Sequence, residues 1–405
     1  MQFNTISFNY PRLKICYISK EYPPDNFGGI GRYTYDLATT FAKMGHDVHV
    51  ITEGVEQDTV DFEEGVWVHR LVSKMYLPFS NCVLGWNFSL LYRNYQEVKR
   101  INNESKIDII NGPIWLCETG LCNILMKDIP VIVTLMTTQK IISKIMNSSD
   151  DFSQHLIHLE NSVLYQHKYI HPISESINNT CKESYSKDAK VYISPLGCRD
   201  LKAEYTSKSE KQDKINILCV GRLEERKGTD LLLSAAVKLL HKYQNLQFIF
   251  AGKDTNNTKS GNSFRKDFYN TYHNDISVIN NVKFLGSVNE KTLMEAYANS
   301  DICCTPSRYE SFGIVVLEAM SFGKAIVAAN IGGIKSIIKD QETGLLFESE
   351  NIDALSDKLE CLIVDEELRK NLAVNARKEF EENYSLEVVY KNLYNIYLEI
   401  IKSHK

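Results

Sequence analysis

The sequence has no long hydrophobic run. None of its 405 residues lies in a segment that approaches the roughly 18 apolar residues needed to span a bilayer. The N-terminus also lacks the apolar stretch typical of a secretion signal. We therefore expect a cytoplasmic protein with no transmembrane segment. Peripheral contact with a membrane stays open, although no polybasic helix stands out.

Metal-binding motifs are absent as well. There are ten cysteines, but no Cys-x-x-Cys pair, and Cys117 and Cys122 have no further Cys or His nearby to complete a zinc site. Most cysteines lie in apolar runs, which is typical of buried free thiols in a reducing compartment. No Asp-x-Asp motif occurs. The sequence therefore predicts neither a metal nor a cofactor.

A strong charge of either sign is also missing. Lys and Arg number 46 and Asp and Glu 51, a formal net charge of -5, so overall charge gives no reason to expect a nucleic-acid partner. Hydrophobic residues make up 43% and charged residues 24%, which excludes a disordered chain. At roughly 150 residues per domain, the length predicts two or three domains. A monomer and a homodimer both stay open.

Short apolar runs alternate with amphipathic stretches, a pattern that predicts βαβ units and parallel sheets. One series has predicted strands at 14–18, 48–51, 107–110, 131–135 and 191–194, with its first helix at 32–44. A second series has predicted strands at 215–220, 248–251, 282–285, 302–304 and 325–329. The stretch 256–275 is polar and is predicted to be a surface loop. From 351 onward the pattern is helical only, ending in a helix at 386–401.

The polar segment between 200 and 214 separates the two series and predicts a linker. We therefore expect two doubly wound α/β domains, at 1–205 and 206–385. Ligands of such folds bind beyond the carboxyl ends of parallel strands. A cleft between the two domains is the expected site.

The first candidate site is the glycine cluster Gly28-Gly29-Ile30-Gly31, which precedes a predicted helix. Clustered glycines expose backbone amides, and a helix N-terminus favours an anion. A phosphate or sugar loop and a purely structural turn both fit. A dinucleotide fingerprint, with Glu53 as the ribose-binding acid, fits less well because the glycine spacing differs from Gly-x-Gly-x-x-Gly.

Two further candidates lie in the second series. The loop from Gly221 to Gly228 carries Arg222 and Lys227, a forked donor and a point charge that suit a diphosphate. A solvated charged turn is the alternative.

The other candidate is the segment from Glu310 to Glu318. A helix starting near Gly313 would direct the amides of Gly313, Ile314 and Val315 at an anion. Glu318 lies in an apolar run and so needs a partner, either ribose hydroxyls or an internal cation.

Together these motifs resemble family 4 of the retaining GT-B glycosyltransferases. The resemblance rests on Gly28-Gly29, Gly221-Arg222 with Lys227-Gly228, Phe250-Ala251-Gly252, Glu310 to Glu318, and Gly332-Gly333 followed by Glu342-Thr-Gly-Leu-Leu-Phe347. Each motif alone is weak, but their order and spacing along nearly the whole chain are specific. The resemblance implies two Rossmann-like domains facing across a cleft.

The resemblance also implies roles for individual residues. Arg222 and Lys227 would neutralise the diphosphate of a nucleotide-sugar, Glu310 would contact the transferred sugar, and Glu318 would hold the ribose. The implied donor-binding set also contains Gly28, Gly29, Gly221, Ser311, Phe312, Gly313, Ile314 and Val315. The leaving diphosphate would help to deprotonate the acceptor, so that configuration is retained without a protein nucleophile or a metal. The last helix, 386–405, would pack back on the first domain; an ordinary surface helix of the second domain is the alternative.

One position departs from the family pattern. Many members have a His after the strand 131–135, where this sequence has Met136. Thr137 or Thr138 would then contact the sugar, or His155 or His158 would, or activity would be reduced.

The expected function is transfer of a sugar from a nucleotide-diphosphate donor, UDP-sugar before GDP-sugar, to a saccharide, glycolipid or other acceptor. A catalytically silent subunit that binds a partner glycosyltransferase or a glycan is one alternative, and a nucleotide-sugar isomerase is another. Aromatic residues of the first domain could stack on the acceptor or pack in the core: Trp67, Tyr76, Phe79 and Trp86.

Overall fold

The structure is a computed structural model that describes residues 11–24, 28–72, 83–146, 149–205, 214–256, 258 and 260–404. The chain divides into two compact units. The first consists of Met1–Gly197 together with Leu386–Lys405, and the second of Cys198–Ser385. Most of the predicted linker, and the aromatic residues Tyr76 and Phe79, lie outside the described residues.

The first unit is built on an eight-stranded sheet. Its strands are β1 (Lys14–Ile18), β2 (Asp47–Gly54), β3 (Thr59–Glu63), β4 (Val66–Val72), β5 (Ile109–Pro113), β6 (Val131–Leu135), β7 (Tyr169–Pro172) and β8 (Lys190–Val191). Their order is β3-β4-β2-β1-β5-β6-β7-β8, and every pair is parallel except β3 with β4. Strands β5 and β6 are buried along their whole length, as expected where both faces of a parallel sheet are covered.

In the described residues before the boundary, this sheet is accompanied by the α-helices α1 (Gly29–Lys43), α2 (Val83–Glu104), α3 (Gly120–Leu125), α4 (Gln139–Met146), α5 (Asp151–Gln166) and α6 (Glu175–Cys181). Helix α1 presents buried side chains including Tyr33, Leu37 and Phe41. These residues lie at i, i+4 and i+8, so one face of the helix packs on the sheet.

The second unit has a six-stranded, fully parallel sheet. Its strands are β9 (Ile215–Val220), β10 (Leu246–Ala251), β11 (Val282–Gly286), β12 (Ile302–Thr305), β13 (Ala325–Ala329) and β14 (Leu345–Phe347), in the order β11-β10-β9-β12-β13-β14. Its helices are α7 (Leu201–Glu204), α8 (Thr229–Lys242), α9 (Phe264–Tyr272), α10 (Ile276–Ile279), α11 (Glu290–Ala298), α12 (Ile314–Ser321), α13 (Ile334–Ile337), α14 (Ile352–Val364) and α15 (Glu366–Glu379). Because β9 has β10 on one side and β12 on the other, the chain reverses direction across the sheet at β9, which is where ligands bind in such folds.

The last helix, α16 (Leu386–His404), belongs to the first unit. The ring of Tyr390 packs edge-on against Phe41 of α1, with the centroids 4.6 Å apart. The hydroxyl of Tyr397 accepts a hydrogen bond of 2.6 Å from Asn111 of β5. Aromatic contacts and a buried polar contact therefore attach the end of the chain to the sheet at which the chain begins.

The structure differs from the sequence-based expectation at the domain boundary. Residues 198–205 were expected in the first domain, but they lie in the second unit. The Cys198 amide donates to the Tyr384 carbonyl at 2.9 Å, and Asp200 forms an ion pair of 2.5 Å with Arg377. Long-range contacts of this kind leave no local signal in the sequence, which shows only a polar segment.

A second difference concerns 256–275, which was predicted to be a loop. Residues 264–272 form helix α9, whose first turn is capped by the Ser263 hydroxyl accepting from the Lys266 amide at 3.2 Å. Phe264 and Phe268 are buried on one face. The segment was predicted to be a loop because this capped helix has few apolar positions, of which Phe264 and Phe268 are buried.

Of the cysteines in the described residues, eight are buried free thiols and Cys361 is exposed. Within these ranges no helix has both the length and the apolar character required to cross a membrane.

Candidate active site

The second unit brings two of the predicted catalytic residues into direct contact. The Lys227 ammonium donates a hydrogen bond to Oε1 of Glu310, and the Ser307 hydroxyl donates to the same oxygen at 3.0 Å. Lys227 lies in the loop after β9 and Glu310 in the loop after β12. Both side chains are mostly buried, so the ion pair is weakly screened by solvent.

Glycines allow these loops to approach each other closely. Gly228 has φ of 68°, and a Cβ atom built on it would lie 2.0 Å from the Pro306 carbonyl oxygen. A Cβ on Gly333, in the loop after β13, would lie 2.4 Å from the Ser311 carbonyl oxygen. The Gly333 amide donates to the Glu310 carbonyl at 3.1 Å. Three loops therefore meet at the carboxyl edge of the sheet.

The two arginines of the first loop are held differently. Arg226 donates to Oε1 of Glu224 at 2.6 Å, whereas Arg222 lies 3.4 Å from the same oxygen and 60% of its side chain is exposed. Arg222 follows Gly221, whose amide donates to the Ala251 carbonyl at 2.9 Å. The guanidinium of Arg222 is therefore accessible to a ligand, while Arg226 is fixed to the loop.

Helix α12 begins at Ile314, as predicted, with Gly313 as its N-cap. The predicted ligand-binding residues Ile314 and Val315 occupy its first turn and are half-buried. Phe312 is buried and packs edge-on against Tyr384. Backbone amides of a helical first turn precede the first intrahelical bond, so they can receive an anion.

The partner of Glu318 is a tyrosine that sequence reasoning did not identify. The Tyr297 hydroxyl donates to Oε2 of Glu318 at 2.8 Å, and its ring stacks on Phe322. Burial raises the pKa of Tyr297 well above its usual value, so the phenol remains a proton donor. The expected partners of Glu318 were ribose hydroxyls or an internal cation. The Tyr297 phenol is a neutral donor from within the protein, which is neither of these.

Arg308 is a second residue that the sequence did not single out. Its guanidinium binds Asp230 of α8 at 2.7 and 2.8 Å, and Glu350 at 2.7 Å. The Arg308 amide donates to the Arg226 carbonyl at 2.8 Å. Hydrogen bonds to its two acidic partners raise the pKa of Arg308 further. Arg308 therefore links the loop after β12 to the loop after β9.

In the first unit, the predicted glycine loop is partly helical. Helix α1 begins at Gly29 instead of at Arg32, and Gly28 is its N-cap. Glycine is a poor helix former, which is why the sequence favoured a loop here. The Gly31 amide donates to Oε2 of Glu21 at 3.2 Å, so a carboxylate already lies at this N-terminus. Nothing in the sequence had singled out Glu21.

The strand β6 leads into the predicted sugar-contacting segment. Met136 and Thr138 are buried and Thr137 is half-buried. His155 and His158, the alternatives for a sugar contact, are exposed on α5.

Of the four aromatic residues that could stack on an acceptor, Trp67 and Trp86 are in the described residues, and they lie near opposite edges of the sheet. The Lys20 ammonium lies 4.8 Å from the centre of the Trp86 ring, and Lys20 follows the carboxyl end of β1. Trp67 is near the start of β4, at the amino edge.

Within the ranges described, no three His, Cys, Asp or Glu side chains form a group that could hold a metal ion.

Comparison with known proteins identifies the family. Residues 202–379 match the model described as glycosyl transferases group 1, and residues 27–198 match the glycosyltransferase family 4 model. The chain belongs to the group 1, family 4 glycosyltransferases. The resemblance inferred from the sequence is thus confirmed.

A curated relative of this glycosyltransferase is an uncharacterized glycosyltransferase of Methanocaldococcus jannaschii, 28% identical over 95% of this chain and 98% of its own. Among solved structures, sucrose-phosphate synthase from Thermosynechococcus elongatus matches with a TM-score of 0.75 at 19% identity, covering 97% of this chain and all of that one. An Anabaena protein in complex with UDP and glucose matches with a TM-score of 0.68 at 17% identity, covering 95% of this chain and 99% of that one. The predicted GT-B fold with two Rossmann-like domains is confirmed.

Proposed function

We propose that this glycosyltransferase transfers a sugar from a nucleotide-diphosphate donor to a saccharide, glycolipid or other acceptor, with retention of configuration and without a metal ion. The observation that carries the proposal is the Lys227–Glu310 pair at the carboxyl edge of the second sheet. It combines a cation for a diphosphate with a carboxylate for sugar hydroxyls. No spacing in the sequence alone establishes that contact.

The leaving diphosphate gains negative charge as the bond to the sugar breaks. An ammonium has three N–H donors, and the bond to Glu310 uses one of them. Lys227 can therefore bind a phosphate oxygen while Glu310 keeps it in place. Arg222, with its exposed guanidinium, and the first-turn amides of α12 supply further positive potential. Preorganised donors of this kind lower the barrier without a nucleophile or a metal.

Glu310 and Glu318 would bind different parts of the donor. Glu318, oriented by Tyr297, would accept hydrogen bonds from the ribose hydroxyls. Glu310, held by Lys227 and Ser307, would accept from hydroxyls of the transferred sugar. The acceptor hydroxyl would lose its proton to the leaving diphosphate on the same face of the sugar, which retains configuration.

We favour a UDP-sugar over a GDP-sugar. The support is the Anabaena neighbour solved with UDP and glucose, whose similarity extends over 95% of this chain. Thermal shift measurements with UDP, GDP and ADP, followed by the corresponding nucleotide-sugars, test the preference. We expect UDP to raise the melting temperature more than the other two.

The reaction itself is tested by donor hydrolysis and transfer assays with the donor that stabilises the protein. We expect turnover to survive EDTA and the first sugar product, observed by NMR, to keep the anomeric configuration of the donor. Inversion would contradict the mechanism, and loss of turnover in EDTA restored by a divalent cation would contradict metal independence.

Met136 favours a second candidate, a catalytically silent subunit that binds a partner glycosyltransferase or a glycan. A buried thioether cannot donate a strong hydrogen bond to a donor sugar. Isothermal titration with UDP and with GDP separates the two proposals. Binding of neither nucleotide would overturn the enzyme proposal and support the silent subunit.

A further inference from the structure

The first unit contains a cavity of about 590 Å³ beside β2, β3, β4 and α2. Its lining extends from Lys14 and Asp47, the first residues of β1 and β2, to Leu71 near the end of β4. Gly28 and Gly29 follow the carboxyl end of β1, and no residue of that glycine loop lines the cavity. The cavity is therefore distinct from the glycine loop.

The rings of His49 and Trp67 form the floor of this cavity, and the Phe62 ring lies beside Trp67. His49 of β2 pairs in register with Trp67 of β4, and Phe62 of β3 pairs with Trp67 from the other side. Directly paired residues point to the same face of a sheet. The Trp67 ring is stacked on His49 at 6.4 Å and lies 4.7 Å from the Phe62 ring, yet Trp67 remains 41% exposed. The floor thus presents a fixed aromatic surface to solvent.

Hydrogen bonds order His49 and His69, which both line the cavity. Nδ1 of His49 lies 2.9 Å from Nε2 of His69, and Nδ1 of His69 lies 2.7 Å from a carboxylate oxygen of Glu97. Although burial opposes it, hydrogen bonds from His69 and Arg100 hold the pKa of Glu97 at about 2, so Glu97 is ionised and only accepts.

An ionised Glu97 can only accept, so His69 donates to it through Nδ1. Nε2 of His49 lies 3.5 Å from Oδ1 of Asp47, so the His49 ring has a polar neighbour at each nitrogen. Burial lowers the pKa of His49 to about 4, which keeps the ring neutral near pH 7.

The charged side chains in the walls of the cavity already form ion pairs or hydrogen bonds with other groups of the protein. Lys14 lies 3.7 Å from Asp47, and Arg100 bonds both Glu97 and Glu104 at 2.6 Å. Asp58 accepts the Val72 amide at 2.7 Å. A carboxylate has about four acceptor positions, so these groups can still accept hydroxyl donors. The walls suit a neutral ligand rich in hydroxyl groups better than a charged one.

We infer that this cavity is a second saccharide-binding site, in which the Trp67 ring stacks under a neutral sugar and the surrounding carboxylates accept its hydroxyls. An aromatic ring offers an apolar surface to the C–H face of a sugar and costs little conformational entropy. Such a site would hold an acceptor or product glycan apart from the glycine loop of the same unit. Binding of a glycan to this cavity can be measured without turnover. The result is therefore independent of whether the proposed reaction occurs.

The test is affinity electrophoresis of the full chain in native gels containing glycogen, dextran, mannan, xylan or pullulan. We expect at least one polysaccharide to retard the wild-type protein. Trp67→Ala should weaken that retardation at least 10-fold in apparent Kd, whereas Trp67→Phe should retain most of it. The matched control is Phe88→Ala, which removes another exposed aromatic residue on α2 and should behave like the wild type.

A third variant separates this cavity from the donor site. Lys227→Ala, with the donor site disabled, should still be retarded by the same polysaccharide. The inference would be overturned if no polysaccharide retarded the wild type, or if Trp67→Ala migrated like the wild type. Loss of retardation in Lys227→Ala with Trp67→Ala unaffected would also overturn it, because the glycan would then bind at the catalytic site. Circular dichroism of each variant verifies that it is folded.

Discussion

Lys227 donates a hydrogen bond to the Glu310 carboxylate although 83 residues separate them in the chain. The contact exists because β9 and β12 are neighbours in the sheet, so the loops that follow them emerge side by side. Ser307 binds the same carboxylate oxygen, which fixes its position. Cation and carboxylate therefore form one unit, and their effects on catalysis should be coupled.

A double-mutant cycle on this pair tests the coupling. We expect Lys227→Ala to lower kcat/KM for the donor by about 100-fold, the cost of removing a preorganised charge contact, and Glu310→Gln to lower it by a similar factor. Because either change disrupts the same unit, the double variant should lose far less than the product of the two factors. Steady-state kinetics with the preferred nucleotide-sugar measure all four proteins.

The control for the cycle is Lys238→Ala, which removes an exposed lysine paired with Asp353 on the surface of the same unit. It should leave kcat/KM unchanged. Fully multiplicative losses in the double variant would show that Lys227 and Glu310 act independently.

Removing the hydroxyl of Tyr297 tests the orientation of Glu318. Tyr297→Phe removes one buried donor from the carboxylate, at a cost of about 1–2 kcal/mol, so we expect KM for the donor to rise about 10-fold with kcat little changed. Glu318→Ala should cost about 100-fold in kcat/KM. Tyr243→Phe is the matched control, because its hydroxyl binds Glu360 away from the site. An unchanged KM in Tyr297→Phe would argue against this positioning role.

A comparison of Gly228 with Gly261 distinguishes the stability cost of a steric contact from the cost of an unfavourable backbone conformation. Gly228 and Gly261 have φ of 68° and 77°, but a Cβ on Gly228 would lie 2.0 Å from the Pro306 carbonyl, whereas one on Gly261 would meet nothing within 4 Å. Gly261→Ala should cost only the conformational penalty, about 1–2 kcal/mol. Gly228→Ala should cost at least ~2 kcal/mol more. Urea unfolding measures both, and equal costs would mean that the loops after β9 and β12 are not in tight contact.

The buried carboxyl of Glu118 should make stability depend on pH. Burial raises its pKa from 4.5 to about 8, although the Lys20 amide donates to it at 2.8 Å. Between these two values the unfolded chain releases the proton while the folded protein keeps it, so this group lowers the free energy of unfolding as pH rises. We expect Glu118→Gln to match the wild type at pH 5 and to exceed it by ~2 kcal/mol or more at pH 8.

Urea unfolding at both pH values measures that difference, with exposed Glu342→Gln as the control that should follow the wild type. A Glu118→Gln variant whose stability relative to the wild type is the same at pH 5 and pH 8 would contradict the raised pKa.

Much of the fold could be read from the sequence because the core strands are continuous apolar runs. Strands β1, β6, β9 and β13 occupy the predicted residues, as expected for segments that are buried on both faces. Helix α9 was not predicted, since few of its positions are apolar and its polar face resembles a loop. Strands β3 and β4 were not predicted either. β3 is almost entirely exposed and lacks the apolar signal of the buried strands, whereas the apolar run of β4 is interrupted by His69 and Arg70.

The candidate site was predictable only in part. Clustered glycines and charged loops at strand ends indicated Arg222, Lys227, Glu310 and Glu318 because their chemistry suits a diphosphate and a ribose. Tyr297 and Arg308 carried no such signal. Their roles depend on which side chain lies opposite them, and that is decided by strand order and by the packing of α11 and α12.

The sequence by itself determined the family, the alternation of strands and helices, and the residue types available for a nucleotide-sugar, because these properties reside in local pattern and motif order. Tertiary structure decided which residues meet. It paired Lys227 with Glu310 and Glu318 with Tyr297, and gathered His49, Trp67 and His69 around a cavity. Contacts between residues far apart in the chain follow from sheet order and packing, and neither property is encoded at any single position.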